Sequence, residues 1–133
     1  MVDKDLLSIQ EARALVRAAR KAQPEFAQLS QERVNDVVRA VAEATAAQAE
    51  VLANMAVEET GFGRPQDKKI KNLLASEKVH ACIKDMKTIG VLCSDPVTKI
   101  VEIAVPVGVI AGIVPSTNPT STVIFKALIS LKA

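Results

Sequence analysis

The densest grouping of side chains able to do chemistry lies near the end of the chain, in "IVPSTNPTST", Ile113 to Thr122. Ser116, Thr117, Asn118, Thr120, Ser121 and Thr122 crowd hydroxyls and an amide around Pro119. An apolar run precedes them and an apolar helical pattern follows. Strand, polar turn and helix together form the first βα unit of a nucleotide-binding sheet, and such sheets bind ligands beyond the carboxyl ends of their strands. The N–H groups opening the helix add a positive dipole end. A turn of this kind can hold a ribose or a phosphate. The same residues also suit a plain, well-capped helix start. Neither a G-x-G-x-x-G run nor a P-loop is present to decide between the two.

The other reactive groups are scattered. Cys82 and Cys93 fall in no metal-ligand spacing, and His80 is the only histidine. A zinc site is therefore not expected, nor any other metal site. His80 lies two residues from Cys82, which on a helix places them on different faces. Free thiols of a cytoplasmic protein are the simplest account. Lys68, Lys69 and Lys71 form a small basic cluster, which reads as a solvated helix face. Lys and Arg total 17 against 15 Asp and Glu, a formal net charge of +2, which argues against nucleic acid as a partner.

Three helical segments must position these groups. Leu7, Leu15, Ala18, Ala22, Phe26 and Leu29 fall near helical spacing, and Pro24 is expected to kink or break that segment. Ser30 can cap a second helix carrying Val34, Val37, Val38, Val41, Leu52 and Met55, weakened in its middle by Thr45, Gln48 and Ala49. After Gly61, Gly63 and Pro65 a third helix presents Ile70, Leu73, Leu74, Val79, Ile83 and Met86 as its apolar side.

Beyond residue 89 the pattern turns to β. "VTKIVEIAV", Val97 to Val105, alternates in part and reads as a half-exposed strand, one arm of a ribbon. "VGVIAGIV", Val107 to Val114, is apolar throughout, as suits a strand buried on both faces in a parallel sheet. Gly108 and Gly112 leave room for close packing. The helix after Pro119 carries Val123, Ile124, Phe125, Leu128, Ile129 and Leu131 and is apolar nearly all round.

With these elements in place, "PVGVIAGIVPSTNPTSTVIFKALISLKA" resembles the start of the cofactor domain of aldehyde dehydrogenases. It is most similar to the CoA-acylating branch, and within that to the aldehyde dehydrogenase half of bifunctional aldehyde–alcohol dehydrogenases. "MAVEETGFGRPQDKKIKNLLASEKVH" and "KDMKTIGVL" resemble the helical lead-in of the same half. The likeness extends over the chain from about Leu7. The fold it implies is α/β: the N-terminal portion of an aldehyde dehydrogenase, with three helices, a β-ribbon and the first strand-turn-helix unit of a Rossmann-like sheet. Residues 1–88 are then the helical lead-in, 89–106 the connector and ribbon with a possible oligomer contact, and 107–133 the first βα unit of the NAD-binding domain.

The resemblance also implies a reaction. Family members of this branch convert an aldehyde and coenzyme A to an acyl-CoA, reversibly, with NAD taking the hydride from a hemithioacetal on a cysteine. The aldehyde expected is acetaldehyde. Ile113, Val114, Pro115, Ser116, Thr117 and Asn118 match the first cofactor-contacting turn. In aldehyde dehydrogenases at large, the turn's Asn donates to the developing oxyanion. Alignment on the two prolines puts that place on Thr117, with Asn118 one later, a feature shared by the acylating branch. Asn118 is thus either an oxyanion donor or a cofactor contact.

The family's nucleophilic cysteine and general base lie downstream of this turn, and neither Cys82 nor Cys93 follows the cysteine motif. The expectation is an N-terminal fragment, inactive alone, whose last helix lacks the partners so apolar a surface needs. A homo-oligomer is expected of the complete enzyme. The competing reading is a non-catalytic helical interaction or scaffold module. Charged residues interrupt every apolar stretch before about 18 accumulate, so no membrane span is expected. "MVDKDLLSIQ" lacks the apolar segment of a secretory signal, consistent with the cytoplasm.

Overall fold

Asp3 caps the first helix of the computed structural model, which describes residues 3–133; its carboxylate accepts from the Asp5 N–H at 3.0 Å. Helix α1 runs Lys4–Phe26 and buries none of its residues. Pro24 does not break it. The missing N–H falls in the last turn, so the helix loses one bond just before it ends. Leu6, Leu7, Leu15 and Val16 remain exposed, and α1 meets the core through Phe26 at its end.

Ser30 caps α2 (Gln31–Ala47) as the sequence predicts, accepting from the Arg33 N–H at 3.3 Å. The weak middle of the second segment is a real boundary. Thr45 turns its hydroxyl back onto the Val41 and Ala42 carbonyls, and Gln48 leaves the helical region at φ −99°, ψ 7°. Helix α3 (Ala49–Thr60) follows and ends at Gly61, whose φ of 70° is the left-handed conformation that closes a helix. Its buried face is Ala49, Ala53 and Ala56, side chains small enough to bring α4 close.

The third segment is one helical rod in three parts: α4 (Pro65–Leu73), a π-helical turn (Leu74–Lys78) and α5 (Val79–Ile83). Its packing differs from the sequence reading. Ile70, Leu74 and Met86 are exposed, whereas Lys68, Asn72, Ala75 and Ser76 are buried. The apolar stripe marks the inner face only in its later part, where Val79 and Ile83 pack against the core; along α4 it does not. There Lys68 and Asn72 turn inward, because they find hydrogen-bond partners on the distant turn and on α3, and paired polar groups can be buried at little cost. Ser76 donates to the Asn72 carbonyl at 2.9 Å, which fits the widened π turn beside it.

The ribbon is an antiparallel hairpin of β1 (Gly90–Asp95) and β2 (Ile100–Ala104), pairing Gly90 with Ala104 and Asp95 with Ile100, with a bulge between Val91 and Cys93. The predicted strand thus starts at Ile100 rather than Val97. Residues 96–99 form the turn, with Lys99 at φ 57°. Residues 105–115 carry no ladder, so the strand expected within Val107 to Val114 is not a strand here. A strand needs a neighbour for its N–H and C=O groups, and β1–β2 is the only pairing among the described residues. Val107 and Ile113 are accordingly 70% and 85% exposed. Gly112 does mark a close approach, since a Cβ there would lie 3.2 Å from Lys126 Cδ; Gly108 instead supplies a φ of 94°.

Helix α6 (Pro119–Lys132) inserts Ile124 and Leu128 among Val34, Val38, Ala42 and Ala75 to complete the core. At its far end the buried Lys132 ammonium donates to Asn35 Oδ1 at 2.6 Å and the Lys84 carbonyl at 3.0 Å. Burial pushes its pKa down, opposed by the charge of Asp85. No helix among the described residues is long and apolar enough to cross a membrane.

Candidate active-site turn

Pro115 to Asn118 form a tight turn closed by a bond from the Asn118 N–H to the Pro115 carbonyl at 3.3 Å. Pro119 then starts α6, where its fixed φ suits the first helical position and its missing N–H costs nothing. Ile113, Val114, Pro115, Ser116 and Thr117 are exposed and Asn118 is half-buried. The sequence-predicted residues are therefore together on one accessible loop at the N-terminal end of α6.

Three side chains of α4 hold this loop. Lys68 is 4% exposed and donates from Nζ to the Thr117 carbonyl. Lys71 donates from Nζ to Asn118 Oδ1 at 3.0 Å. Asn72 is fully buried, donating from Nδ2 to the Ala49 carbonyl at 3.0 Å and accepting from Thr120 Oγ1 at 2.8 Å. One asparagine thus ties α3, α4 and the first turn of α6 together.

Two sequence expectations change. The basic cluster is not simply a solvated face: Lys68 is buried against the turn and Lys71 bonds it, while Lys69 pairs with Glu50 at 2.7 Å. That hydrogen bond and the lysine charge hold the Glu50 carboxyl below the usual carboxylate range. The capped-helix reading also needs revision. Asn118 occupies the N-cap position, but its side chain makes no capping bond, because Oδ1 is engaged by Lys71. Lys68, Lys71 and Asn72 were missed as site residues. The signal available was spacing: Lys68, Asn72 and Ser76 recur every fourth residue, one stripe of a helix.

The loop is chemically suited to an anionic or polar ligand. The partial positive charge of the α6 N-terminus and two ammonium groups converge on it, with the hydroxyls of Ser116 and Thr117 at its surface. Cys82 and Cys93 stand on other elements, α5 and β1, as exposed free thiols, and His80 is half-buried on α5. No cluster of three His, Cys, Asp or Glu able to hold a metal occurs among the described residues.

The described residues thus comprise a set of helices, a two-stranded β-hairpin and a polar turn opening a last helix. The chain belongs to the aldehyde dehydrogenase family, whose model matches residues 5–133. It is 51% identical over 125 residues to the bifunctional aldehyde-alcohol dehydrogenase AdhE of Escherichia coli (strain K12), covering 94% of this chain and 14% of that protein. The probable aldehyde dehydrogenase of Listeria monocytogenes EGD-e superposes with a TM-score of 0.95 at 58% identity, covering 99% of this chain and 29% of that one. An acetylating aldehyde dehydrogenase of Geobacillus thermoglucosidasius gives 0.96 at 50% identity, covering 100% and 29%. The resemblance read from the sequence, to the acylating branch and its bifunctional members, is borne out. The chain spans less than a third of the length of each of these relatives.

Proposed function

We propose that this chain supplies the lead-in helices and the first cofactor-contacting turn of a CoA-acylating aldehyde dehydrogenase. The reaction is aldehyde plus coenzyme A plus NAD giving acyl-CoA, NADH and a proton, run in either direction. Acetaldehyde is the substrate proposed, on the likeness to an acetylating enzyme. The observation that carries the reading is Asn118. It sits at the head of α6 with its amide oxygen engaged by Lys71, so the amide N–H groups are the end free to meet a ligand.

The exposed hydroxyls of Ser116 and Thr117 and the half-buried amide of Asn118 fit a dinucleotide, with Ile113, Val114 and Pro115 as the apolar side of its wall. NAD, when bound, accepts the hydride. The Asn118 amide donates to the aldehyde-derived oxygen as its negative charge develops, and Lys68 keeps the loop from shifting as that happens. The nucleophile and the general base come from outside these 133 residues, so the segment alone does not turn over. In the complete enzyme, the hairpin is a contact between copies of a homo-oligomer. Two exposed free thiols fit a reducing compartment, the cytoplasm.

Titration of the complete enzyme carrying this segment with NADH tests the reading. Saturable quenching or enhancement of cofactor fluorescence, weakened by Ser116→Trp within the loop, is expected. An interaction module without chemistry ignores the cofactor, and a flat titration would discard the proposal.

A further inference from the structure

Lys71 lies on the exposed side of α4, yet it reaches across to a side chain that belongs to the turn. An ammonium has three donors and no acceptor. Whichever amide atom faces it must therefore be the oxygen. This fixes the orientation of the Asn118 amide by chemistry: Oδ1 toward α4, Nδ2 away from it. The residue also forgoes the bond an N-cap asparagine ordinarily makes to its own helix. Below it, the buried Lys68 ammonium holds the Thr117 carbonyl, fixing the peptide that carries Asn118. Asn72 anchors the next turn through Thr120.

We infer that Lys71 and Lys68 form a two-point clamp in which Lys68 fixes the backbone of the turn and Lys71 sets the Asn118 amide with its N–H groups facing the reacting oxygen. Lys71 is a positioning residue, acting through Asn118. The inference rests on the proposed role of Asn118. Without Lys71 the amide can turn about its last torsion and present oxygen where a donor is needed, or return to capping α6. Either change leaves cofactor binding largely intact and removes a donor from the transition state.

The test uses the complete enzyme carrying this segment. Lys71→Met is expected to lower kcat by roughly tenfold or more while the dissociation constant for NADH stays within about twofold. Lys71→Arg, which still offers only donors, recovers kcat to within about threefold of the parent. Lys71→Met combined with Asn118→Ala is no slower than Asn118→Ala alone, because both remove the same interaction. Lys69→Met, a neighbour paired elsewhere, serves as the control. Lys71→Met with unchanged kcat, an arginine variant no better than methionine, or additive losses would each overturn the clamp.

A second readout does not depend on turnover. In this chain, the side-chain amide resonances of Asn118 shift in Lys71→Met and hold in Lys69→Met. Unmoved resonances contradict the clamp directly. Moved resonances with an unimpaired Asn118→Ala enzyme remove the oxyanion role and with it the catalytic half of the inference, leaving Lys71 a contact that only orients the amide.

Discussion

Asn118 and Thr117 sit side by side in one turn, and their environments predict different defects. Asn118 is half-buried with its amide oriented by Lys71; Thr117 is exposed and contributes its carbonyl to Lys68. Asn118→Ala is expected to lower turnover by about 100- to 1000-fold with little change in the Michaelis constant for NAD, the usual consequence of removing an oxyanion donor. Thr117→Ala keeps its carbonyl and so keeps most of its rate. Steady-state kinetics of the two variants decide; the opposite pattern would assign the donor to Thr117. Asn72 offers a stability prediction at the same scale. Asn72→Ala leaves the Ala49 carbonyl and the Thr120 hydroxyl without their partner and is expected to cost about 2–3 kcal/mol in denaturant unfolding. A loss below about 0.5 kcal/mol would mean that water replaces the amide at once. The turn was legible in the sequence because its hydroxyls are consecutive. Lys68 and Asn72 were not, since such residues ordinarily face solvent and their burial depends on partners far along the chain.

At the scale of elements, the sequence signals that held were local ones. Ser30 caps α2, Gly61 closes α3, and Pro119 opens α6. The division of the second helix at Gln48 was visible only as a weak middle, because Thr45 and Gln48 disfavour but do not forbid helix. The inner face of α4 was misread because burial follows partners rather than hydropathy when polar groups are paired. The hairpin turn also depends on one charge. Asp95 accepts from the Thr98 hydroxyl at 2.6 Å and the Val97 N–H at 2.8 Å, and these bonds, the Thr98 hydroxyl foremost, hold its carboxyl below the usual carboxylate range. The folded pKa lies below the unfolded one. Its contribution is therefore present above the unfolded pKa and lost as pH falls through the folded value. Cross-strand contacts between Ser94 and Val101, followed by NMR, are expected to weaken on acidification below the usual carboxylate range and not in Asp95→Asn, whose side chain does not titrate there. Acid sensitivity retained by Asp95→Asn would place the cause elsewhere.

At the scale of the whole molecule, the apolar run from Val107 to Val114 is the place where sequence and fold diverge. Its composition suits a doubly covered strand, and here it lies beside α6 with no neighbour to pair with among the described residues. An apolar groove of about 660 Å³, lined by Ile110, Val114, Val123 and Ile129 among others, runs between that segment and the helix. Exposed apolar surface and unpaired backbone favour association. Sedimentation of this chain at micromolar concentration is expected to show oligomers or aggregates; a stable monomer would show that the groove is satisfied within one copy. Non-local pairing of this kind cannot be read from a segment's own pattern, because the partner strand sets it. The turn from Ile113 to Asn118 is proposed to serve an acylating dehydrogenase. The most direct measurement supplies acetaldehyde and NAD to the complete enzyme, with and without coenzyme A, and follows NADH and acetyl-CoA together. Equal amounts of both products are expected when coenzyme A is present, with a rate that collapses in Asn118→Ala. NADH formed at full rate without coenzyme A, with acetate as the product, or a rate untouched by Asn118→Ala, would contradict that role.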